Sequence, residues 1–423
     1  MIFQTTRLAN GCMIATAEMP HMHSTCVALW ALAGSRHEPA RHGGIAHFVE
    51  HLVFKGTTHR SATQILREVE GVGGSLDAFT ETDHTCYYAR ATPDHLPGFL
   101  DVLLDMFRNA TFDPEDVARE REVIEEEILM YQENPGQAID DLLGETAWPD
   151  HPLGRPITGT PDTLARTGAG DLRTFAHRRY VGANTLVTVA GPVAHSEVVE
   201  LAGAAAALPR GRRPATKPFP KAARTTGSRY RFEQREIEQA HICLGFHTDG
   251  RTDPGRHATK LLSVLMGENM SSRLFQRLRE DRGLCYSVQS DLTLLEDTGL
   301  FTVYAGVDAD KIVPSVQLAL RELRKIATKP PTRRELAAAQ DYAIGMLRLA
   351  ADSTTAQAMW LGESLLAHHR TIHPDETADA LAAVTPDAVS AAARTIFDPA
   401  RATLAAVAPP VDQERLTKLI RAF

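Results

Sequence analysis

The segment His47-Phe48-Val49-Glu50-His51 combines residue types and a spacing that suit metal chemistry. His47 and His51 are four residues apart, so both imidazoles project from one face of a helix. This spacing allows two nitrogens to bind one Zn²⁺ at about 2.0–2.1 Å. Glu50 lies beside His51, where a carboxylate is placed to take a proton from an attacking water. The order HxxEH is the inverted form of the HExxH zinc signature, although two histidines and an acid also share a helix by chance.

A catalytic zinc site needs a third protein ligand, and an acidic run at residues 120–130 offers candidates. Glu120 and Glu127 are seven residues apart, so they share one face of a helix. A solvated acidic face is the usual explanation of such a run. Spacing alone leaves the choice of ligand open among Glu122, Glu125, Glu126 and Glu127.

The chain contains an internal repeat. The segment that begins at Gly34 resembles the segment that begins at Asp249, at an offset of 215 residues. Near the ends of the two halves, residues 180–192 resemble residues 397–409 at an offset of 217. Two matches at nearly one offset indicate two related halves of roughly 210 residues each.

The repeat also indicates which half carries the chemistry. At the offset of 215, the three polar residues of the HxxEH helix correspond to Leu262, Leu265 and Met266. A buried helix position accepts His or Glu only when the polar group is paired, because unpaired burial costs about 1–3 kcal/mol. We therefore predict one zinc ion per chain, bound in the first half, and a second half that is a degenerate copy.

Composition limits the class of protein. Of the 423 residues, 43% are hydrophobic and 23% are charged, which is a globular composition. The net charge of −8 argues against nucleic-acid and membrane-surface partners. The apolar run at residues 26–34 is shorter than the ~20 residues of a membrane span. The five cysteines are scattered and the N-terminus lacks a secretory pattern, so we expect a cytoplasmic protein with free thiols.

Strand-like and helix-like patterns alternate along the first half. Strands are predicted at residues 26–33, 85–91 and 185–190, and helices at residues 62–71, 96–108 and 114–132. We expect an α+β fold with two homologous halves, each a mostly antiparallel sheet with helices packed on one face. The predicted domains are a catalytic half at 1–207, a basic, proline-rich linker at 208–231 and a second half at 232–423.

Five longer motifs resemble one protein family. They are HFVEHLVFKGT at residue 47, GGSLDAFTETDHTCYYA at 73, EREVIEEEILMY at 120, HPLGRPITGT at 151 and RLREDRGLCYSV at 277. From about residue 11 to residue 409, the chain is similar to the pitrilysin/insulin-degrading-enzyme metallopeptidases, and among them to the bacterial members that are like mitochondrial processing peptidase. The resemblance implies the processing-peptidase-like metallohydrolase fold and a zinc-dependent endopeptidase.

The resemblance also implies roles for residues of the first half. The zinc ligands would be His47, His51 and Glu127, which selects one glutamate among those that spacing left open. Glu50 would be the general base. Glu120 would orient one of the ligands through a hydrogen bond.

Further residues are implied to contact the substrate. In the second half, Arg279 and Tyr286 match the family's pair that binds the substrate and the transition state. A substrate strand would pair with the strand edge formed by Ala78, Phe79 and Thr80. The family usually has Asn where this chain has Asp77, and an acid there would bias the charge of the substrate without preventing backbone pairing.

The resemblance implies an assembly as well. Family members enclose peptides in a chamber built from four such half-units, and this chain supplies two. We therefore expect a homodimer, or a heterodimer with a related metal-less subunit, that cleaves unfolded peptides. Two alternatives stay open, a maturation protease dedicated to one precursor peptide and a non-catalytic core or scaffold subunit.

Overall fold

The computed structural model describes residues 1–213, 215–220 and 227–423. These residues form two compact units, and neither unit is a continuous stretch of sequence. The first consists of Met1–Leu129, Arg155–Lys217 and Leu349–His373, and the second of Met130–Gly154, Pro218–Arg348 and Pro374–Phe423. Each unit has a sheet and a hydrophobic core of its own.

Six strands among the described residues form the sheet of the first unit: β1 (Ile2–Arg7), β2 (Met13–Glu18), β3 (Thr25–Ala31), β4 (Ser75–Thr80), β5 (Thr85–Ala91) and β6 (Thr185–Gly191). Their order is β1-β2-β6-β3-β5-β4, and every neighbouring pair except β2 and β6 is antiparallel. All residues of β3 are buried, because both faces of this central strand are covered. Strand β4 lies at an edge of the sheet, with β5 as its one partner among the described residues.

Five strands of the described ranges form the sheet of the second unit: β7 (Arg229–Gln234), β8 (Gln239–Thr248), β9 (Cys285–Leu294), β10 (Gly299–Asp308) and β11 (Ala402–Ala408). Their order is β7-β11-β8-β10-β9, with β7 and β11 parallel and the other pairs antiparallel. In each sheet the parallel pair contains the strand that closes the repeat, β6 or β11. The sequence repeat therefore corresponds to a repeat of topology.

The helices of the described residues are α1 (Ile45–Val53), α2 (Ala62–Glu70), α3 (Leu96–Asn109), α4 (Pro114–Glu133), α5 (Pro135–Ala147), α6 (Pro161–Ala165), α7 (Ala169–Arg179), α8 (His195–Leu201), α9 (Arg256–Met266), α10 (Ile312–Thr328), α11 (Arg333–Ala350), α12 (Thr354–His368), α13 (Pro374–Ala382), α14 (Pro386–Ile396) and α15 (Gln413–Arg421). The predicted fold class is confirmed, because two halves each combine a mostly antiparallel sheet with helices. Helices α2, α3 and α4 begin at the predicted residues.

Two helices belong to the unit that their sequence position does not suggest. Helix α12 lies in the second half of the sequence but packs on β2, β3 and β6 of the first unit. It covers the face opposite α1 and α3, where a Cβ atom at Gly362 would lie 2.2 Å from the Trp30 ring. Helix α5, from the first half, packs on β8 and β11 in the second unit.

This exchange refines two predictions. Most helices of each unit do pack on one face of its sheet, but α12 and α5 also cover the other face. The compact units do not coincide with the predicted limits at residues 207 and 232, since the order of elements along a chain does not determine which sheet a helix covers.

The predicted linker at residues 208–231 is part of the folded structure over some of its length. Residues 214 and 221–226 lie outside the described residues. Phe219 is buried in the second unit, where its backbone N–H donates to Asp297 over 2.7 Å, and β7 already begins at Arg229. All five cysteines are buried free thiols. No helix within the described ranges is long and apolar enough to cross a membrane.

Candidate metal centre

Helix α1 has an apolar face and a polar face. Phe48, Val49 and Leu52 are at most 1% exposed and pack into the core of the first unit. This packing fixes the rotation of the helix about its axis. The polar residues His47 and His51 therefore project together from the other side.

The start of α1 is fixed by its neighbours. Gly44 has a φ of 87°, and a Cβ atom there would lie 2.5 Å from the carbonyl oxygen of Thr158. Only glycine fits this close, left-handed position without strain. The carboxylate of Glu38 accepts the N–H groups of Gly44 and Ala46, each over 2.8 Å. These contacts satisfy donors that a helix start leaves unpaired, so the position of α1 is well defined.

Three side chains meet at the polar face. His47 Nε2 and His51 Nε2 lie 3.7 Å and 3.6 Å from Glu127 Oε2. The three ligand atoms are within 4.8 Å of one another, and this is the one group of its kind among the described residues. Tetrahedral zinc ligands at about 2.0–2.1 Å from the ion lie roughly 3.3–3.4 Å apart. Small movements of these atoms toward one another would therefore let them bind a single zinc ion.

Helix α4 supplies the glutamate of this group. Ile124 and Ile128 are buried and set the side of α4 that packs against the core. Of the four glutamates that spacing left open, the structure brings Glu127 to the histidines and leaves Glu122 and Glu126 exposed. The distinction depends on the rotation of α4, which an acidic run does not reveal.

Glu120 lies behind His51. Its side chain is 8% exposed, and its Oε2 is 3.2 Å from His51 Nδ1. With its proton on Nδ1, His51 donates to this carboxylate and has the Nε2 lone pair for a metal ion. Burial lowers the pKa of His51, but hydrogen bonds with Glu127 and Glu120 outweigh it and raise that pKa above its ordinary value.

His47 has a different environment. Burial, together with the neighbouring charge of His51, lowers the pKa of His47 to about 4. The imidazole is therefore neutral near pH 7, which is the form that binds a metal. Its Nδ1 is buried and has no hydrogen-bond partner among the described residues.

Glu50 adjoins the three side chains without joining them. Thr80 Oγ1 donates to Glu50 Oε2 over 2.6 Å. Burial raises the pKa of Glu50, and this outweighs the opposite effect of the Thr80 hydrogen bond. A carboxyl group with a raised pKa is suited to take up a proton and release it again.

The edge strand β4 brings the predicted substrate contacts next to this carboxylate. Its outer edge is unpaired within the described residues, and Thr80 ends the strand at Glu50. Ala78 packs toward the main core of the first unit, whereas Phe79 packs on the opposite face of the sheet. All three predicted residues therefore lie on the edge strand with side chains that alternate in direction, and the Ala78 N–H donates to Asp77 Oδ1 over 2.8 Å.

The second unit contains the other predicted pair. A π-helical turn at Phe275–Glu280 carries Arg279, whose guanidinium lies 4.9 Å from the ring centre of Phe275 and 5.6 Å from that of Tyr286. Tyr286 is 76% exposed at the start of β9. Arg279 and Tyr286 are thus adjacent, and Arg279 lies on a helical turn of a rare type that often occurs at functional sites.

Sequence reasoning missed two contacts. Lys55 Nζ lies 2.7 Å from Glu120 Oε1, and Phe275 lies beneath Arg279. For Phe275 and Arg279 the signal was a spacing of four residues, whereas the contact of Lys55 with Glu120 joins distant segments and had no signal in the sequence.

The chain matches the sequence models of two families. The model described as Insulinase (Peptidase family M16) matches residues 13–161. The model described as Peptidase M16 inactive domain matches residues 168–342. The second match includes residues 262–266, where the repeat has apolar residues in place of those of HxxEH.

Several relatives are similar over nearly the whole chain. An uncharacterized zinc protease of Streptomyces coelicolor is 37% identical over 97% of this chain and 90% of its own length. The uncharacterized zinc protease YmxG of Bacillus subtilis is 35% identical over 92% of this chain and 94% of its own. An uncharacterized zinc protease of Mycobacterium tuberculosis is 36% identical over 99% and 96%.

Solved structures share the fold. A protease from Helicobacter pylori superimposes with a TM-score of 0.89 at 21% identity, covering 96% of this chain and all of the other. A peptidase M16 inactive domain from Pseudomonas fluorescens superimposes with a TM-score of 0.90 at 20% identity, covering 98% of this chain and all of the other.

Proposed function

This chain belongs to peptidase family M16, the insulinase family, and we propose that it is a zinc-dependent endopeptidase. The observation that supports this function is the meeting of His47, His51 and Glu127, whose ligand atoms lie within 4.8 Å of one another. Glu50 lies on the same helix as the two histidines and is not one of the three. Three protein ligands beside a further carboxylate are the composition of a catalytic zinc site rather than a structural one.

In the proposed mechanism, the chain's own residues move the proton. A zinc ion held by the three ligands supplies Lewis acidity toward the scissile carbonyl and lowers the pKa of water. Glu50 takes the proton of the attacking water as the C–O bond forms, and delivers it to the amine nitrogen as the C–N bond breaks. Thr80 holds one oxygen of Glu50, which leaves the other for the proton. Glu120 keeps His51 in the tautomer that presents Nε2.

The proposed substrate is an unfolded peptide that binds as an added β-strand. The outer edge of β4 offers backbone N–H and C=O groups next to Glu50. Backbone hydrogen bonds depend little on the sequence of the peptide, so many peptides should bind. Asp77 is exposed on this strand, where it accepts a hydrogen bond from Tyr88 over 3.1 Å and adds negative charge to the edge.

A digest of a mixed peptide library, with and without a chelator, tests this activity. We expect cleavage that the chelator abolishes and zinc restores, with about one zinc per chain in metal analysis. The control variant His51→Ala should hold neither metal nor activity. Cleavage that persists in the chelator or in His51→Ala would contradict the metal mechanism. A zinc-loaded protein that cuts nothing in the library would favour a scaffold or a dedicated maturation protease instead.

We also propose a homodimer in which Arg279 and Tyr286 of one chain serve the metal centre of its partner. Support comes from the family resemblance, which implies four half-units where this chain has two. Both side chains are exposed and adjacent, so a partner can reach them. In the proposed site, Tyr286 donates a hydrogen bond to the developing oxyanion and Arg279 holds the substrate.

Mixing two inactive variants tests this arrangement. A Glu50→Gln chain still offers Tyr286, and a Tyr286→Phe chain still offers an intact metal centre. After subunit exchange, half of the dimers are hybrids with one intact site of two, so activity should recover to roughly a quarter of wild type. Differently tagged chains verify the exchange. A verified mixture that stays as inactive as its parents would contradict the shared site.

A further inference from the structure

The segment that follows α1 carries a lysine that reaches back to the metal centre. Lys55 lies four residues after His51, and its Nζ is 2.7 Å from Glu120 Oε1. The other oxygen of that carboxylate, Oε2, is 3.2 Å from His51 Nδ1. The two oxygens of Glu120 therefore join a cation on one side to a candidate zinc ligand on the other.

We propose that Lys55 is a positioning residue of the metal centre, which holds the Glu120 carboxylate in the orientation that makes His51 present Nε2 to the metal. The inference rests on the proposed function, because it concerns the same zinc site. It assigns Lys55 no contact with metal or substrate. Its effect passes entirely through Glu120 and His51.

The burial of Glu120 explains why a cation is needed. The Glu120 side chain is 8% exposed, so its carboxylate has lost most of its contact with water. A buried charge is tolerated when it is paired and hydrogen-bonded, and is strongly destabilising when one partner is removed. The Lys55 side chain is 37% exposed, so its stem crosses the protein surface while its ammonium group reaches inward. Lys55 fixes one carboxylate oxygen, and the other is thereby aimed at His51.

The backbone around Lys55 is also held in place. The Lys55 N–H donates to the carbonyl of Leu52 at the end of α1, over 3.1 Å. Two residues later, Thr57 Oγ1 donates to Asp105 Oδ2 over 2.7 Å, and Arg60 donates to the same oxygen over 2.9 Å. Asp105 belongs to α3, so this segment is tied to a second helix. Little backbone freedom is left for the lysine to lose when it pairs with Glu120.

The repeat shows that Lys55 belongs with the metal centre rather than with the fold alone. At the offset of 215, His51 and Lys55 correspond to Met266 and Met270. The lysine is thus replaced by an apolar residue in the half that lacks the histidines.

The glutamate is replaced in that half as well. Helices α4 and α11 share buried positions at an offset of 219 residues, for example Val117 with Leu336. Glu120 then corresponds to Ala339, which is 4% exposed. Lys55, Glu120 and His51, which contact one another in series, therefore all lack a counterpart of the same type in the second half. A lysine needed only to build this fold would have no reason to disappear with the histidines.

Zinc affinity of the variant Lys55→Met tests the proposal. We expect zinc to bind roughly 10-fold more weakly, at the lower end of the 10–100-fold range for residues that support a ligand. Cobalt(II) in place of zinc should show an altered visible spectrum, since the coordination of His51 changes. Lys55→Arg should restore most of the affinity, because arginine keeps the cation beside Glu120.

The chain offers a matched control. Lys260 Nζ lies 2.6 Å from Glu268 Oε2 in the second unit, with exposures of 45% and 14% that resemble those of the Lys55 pair. Lys260→Met removes a similar ion pair, and we expect zinc affinity and the cobalt spectrum to stay at wild-type values. An equal loss of affinity in Lys260→Met would overturn the assignment by showing a general effect on the fold.

A double-mutant cycle separates positioning from a structural role. In a Glu120→Gln background, Lys55→Met should have little further effect on zinc affinity, because its route to His51 is already broken. Full additivity of the two changes, or wild-type affinity in Lys55→Met, would overturn the proposal. Because binding is measured directly, a wild type that binds zinc but cleaves no peptide contradicts the proposed function alone. Failure of the lysine effect contradicts this inference alone.

Discussion

Helices α1 and α9 occupy corresponding positions in the two halves of the repeat, but they present opposite chemistry. Helix α1 gathers a metal-binding face beside Glu127 of α4. The corresponding residues of α9 are apolar and at most 7% exposed, namely Leu262, Leu265 and Met266. The same helix position therefore serves as core packing in one half and as a site in the other. Packing needs no polar group there, so the polar groups of α1 require a functional explanation.

The contrast extends to the helix that supplies the acids. At the offset of 219 residues, Glu127 of α4 corresponds to Met346 of α11, which is 52% exposed. The polar residues of the candidate site are thus replaced as a set and not one at a time. Residues that share one function are expected to be lost together, whereas independent surface charges would be lost in no particular combination.

The largest effect should come from removing the charge of Glu50 while keeping its shape. Glu50→Gln removes a charge that the corresponding residue of α9, Leu265, does not carry, and turnover should fall by about 10²–10⁴-fold because the general base is lost. Zinc content should stay at the wild-type level, since no ligand is changed. Metal analysis and the turnover rate measured on one preparation check both parts. Undiminished turnover would exclude Glu50 as the base.

Next in size is the effect of removing the third ligand. Glu127→Gln should weaken zinc binding by roughly 100-fold or more, since a direct ligand matters more than the 10–100-fold of a supporting residue. The control is Glu126→Gln on the exposed side of α4, which should bind zinc as wild type does. Competition with a chelating dye measures both. The opposite pattern would show that the ligand assignment is off by one residue.

Exchanging residues between the two helices should produce a smaller, asymmetric effect on stability. Leu262→His places an unpaired imidazole at a fully buried position of α9, so the free energy of unfolding should fall by about 2–4 kcal/mol. His47→Leu removes a buried imidazole with an unpartnered Nδ1. The metal-free variant should therefore unfold within about 1 kcal/mol of metal-free wild type. Urea unfolding of the metal-free proteins checks this, and equal losses in the two variants would refute the comparison.

Much of the site followed from the sequence because it depends on local spacing. The helical spacing of His47 and His51 predicted one shared face, and the structure places both beside Glu127. The repeat placed three apolar residues at the corresponding positions of the second half, and these residues are buried in α9. Spacing could not select Glu127 within the acidic run, because the rotation of α4 depends on how Ile124 and Ile128 pack; the family resemblance supplied that choice.

Other features could not be predicted because they depend on contacts between distant segments. The placement of α5 and α12 in the other unit cannot be predicted from the order of elements along the chain, since an amphipathic pattern does not indicate which sheet a helix covers. Phe219 sits in a proline-rich, basic stretch that is typical of a solvated linker, yet it is buried. Lys55 resembles an ordinary solvated residue after a helix until Glu120 is placed beside it.

A buried carboxylate of α3, which is hydrogen-bonded to the segment after α1, extends the comparison. Asp105 is 6% exposed and accepts hydrogen bonds from four residues, Thr57, His59, Arg60 and Asn109. Burial alone would raise its pKa, but these partners outweigh burial and lower the pKa of Asp105 to about 2. Helices α3 and α10 share buried positions at an offset of 216 residues, so the counterpart of Asp105 is the exposed Arg321. The second unit therefore lacks this carboxylate at the corresponding position.

Asp105 should make the first unit sensitive to acid, which is the smallest effect expected. Because its folded pKa lies below the value near 3.8 for an unpaired Asp, its stabilisation is complete above about pH 4 and disappears as the pH falls toward 2. We expect a loss of about 1–2 kcal/mol over this range, less than the full shift implies because water screens part of the network. Metal-free Asp105→Asn should be less stable at neutral pH, but it should lose less stability between pH 4 and 2 than metal-free wild type.

The matched control is Asp101→Asn, which removes a 66% exposed partner of the same Arg60 and should leave the pH slope of stability unchanged. Thermal midpoints measured across this range give the slopes, and identical slopes for Asp105→Asn and wild type would show that the acid sensitivity lies elsewhere in the chain.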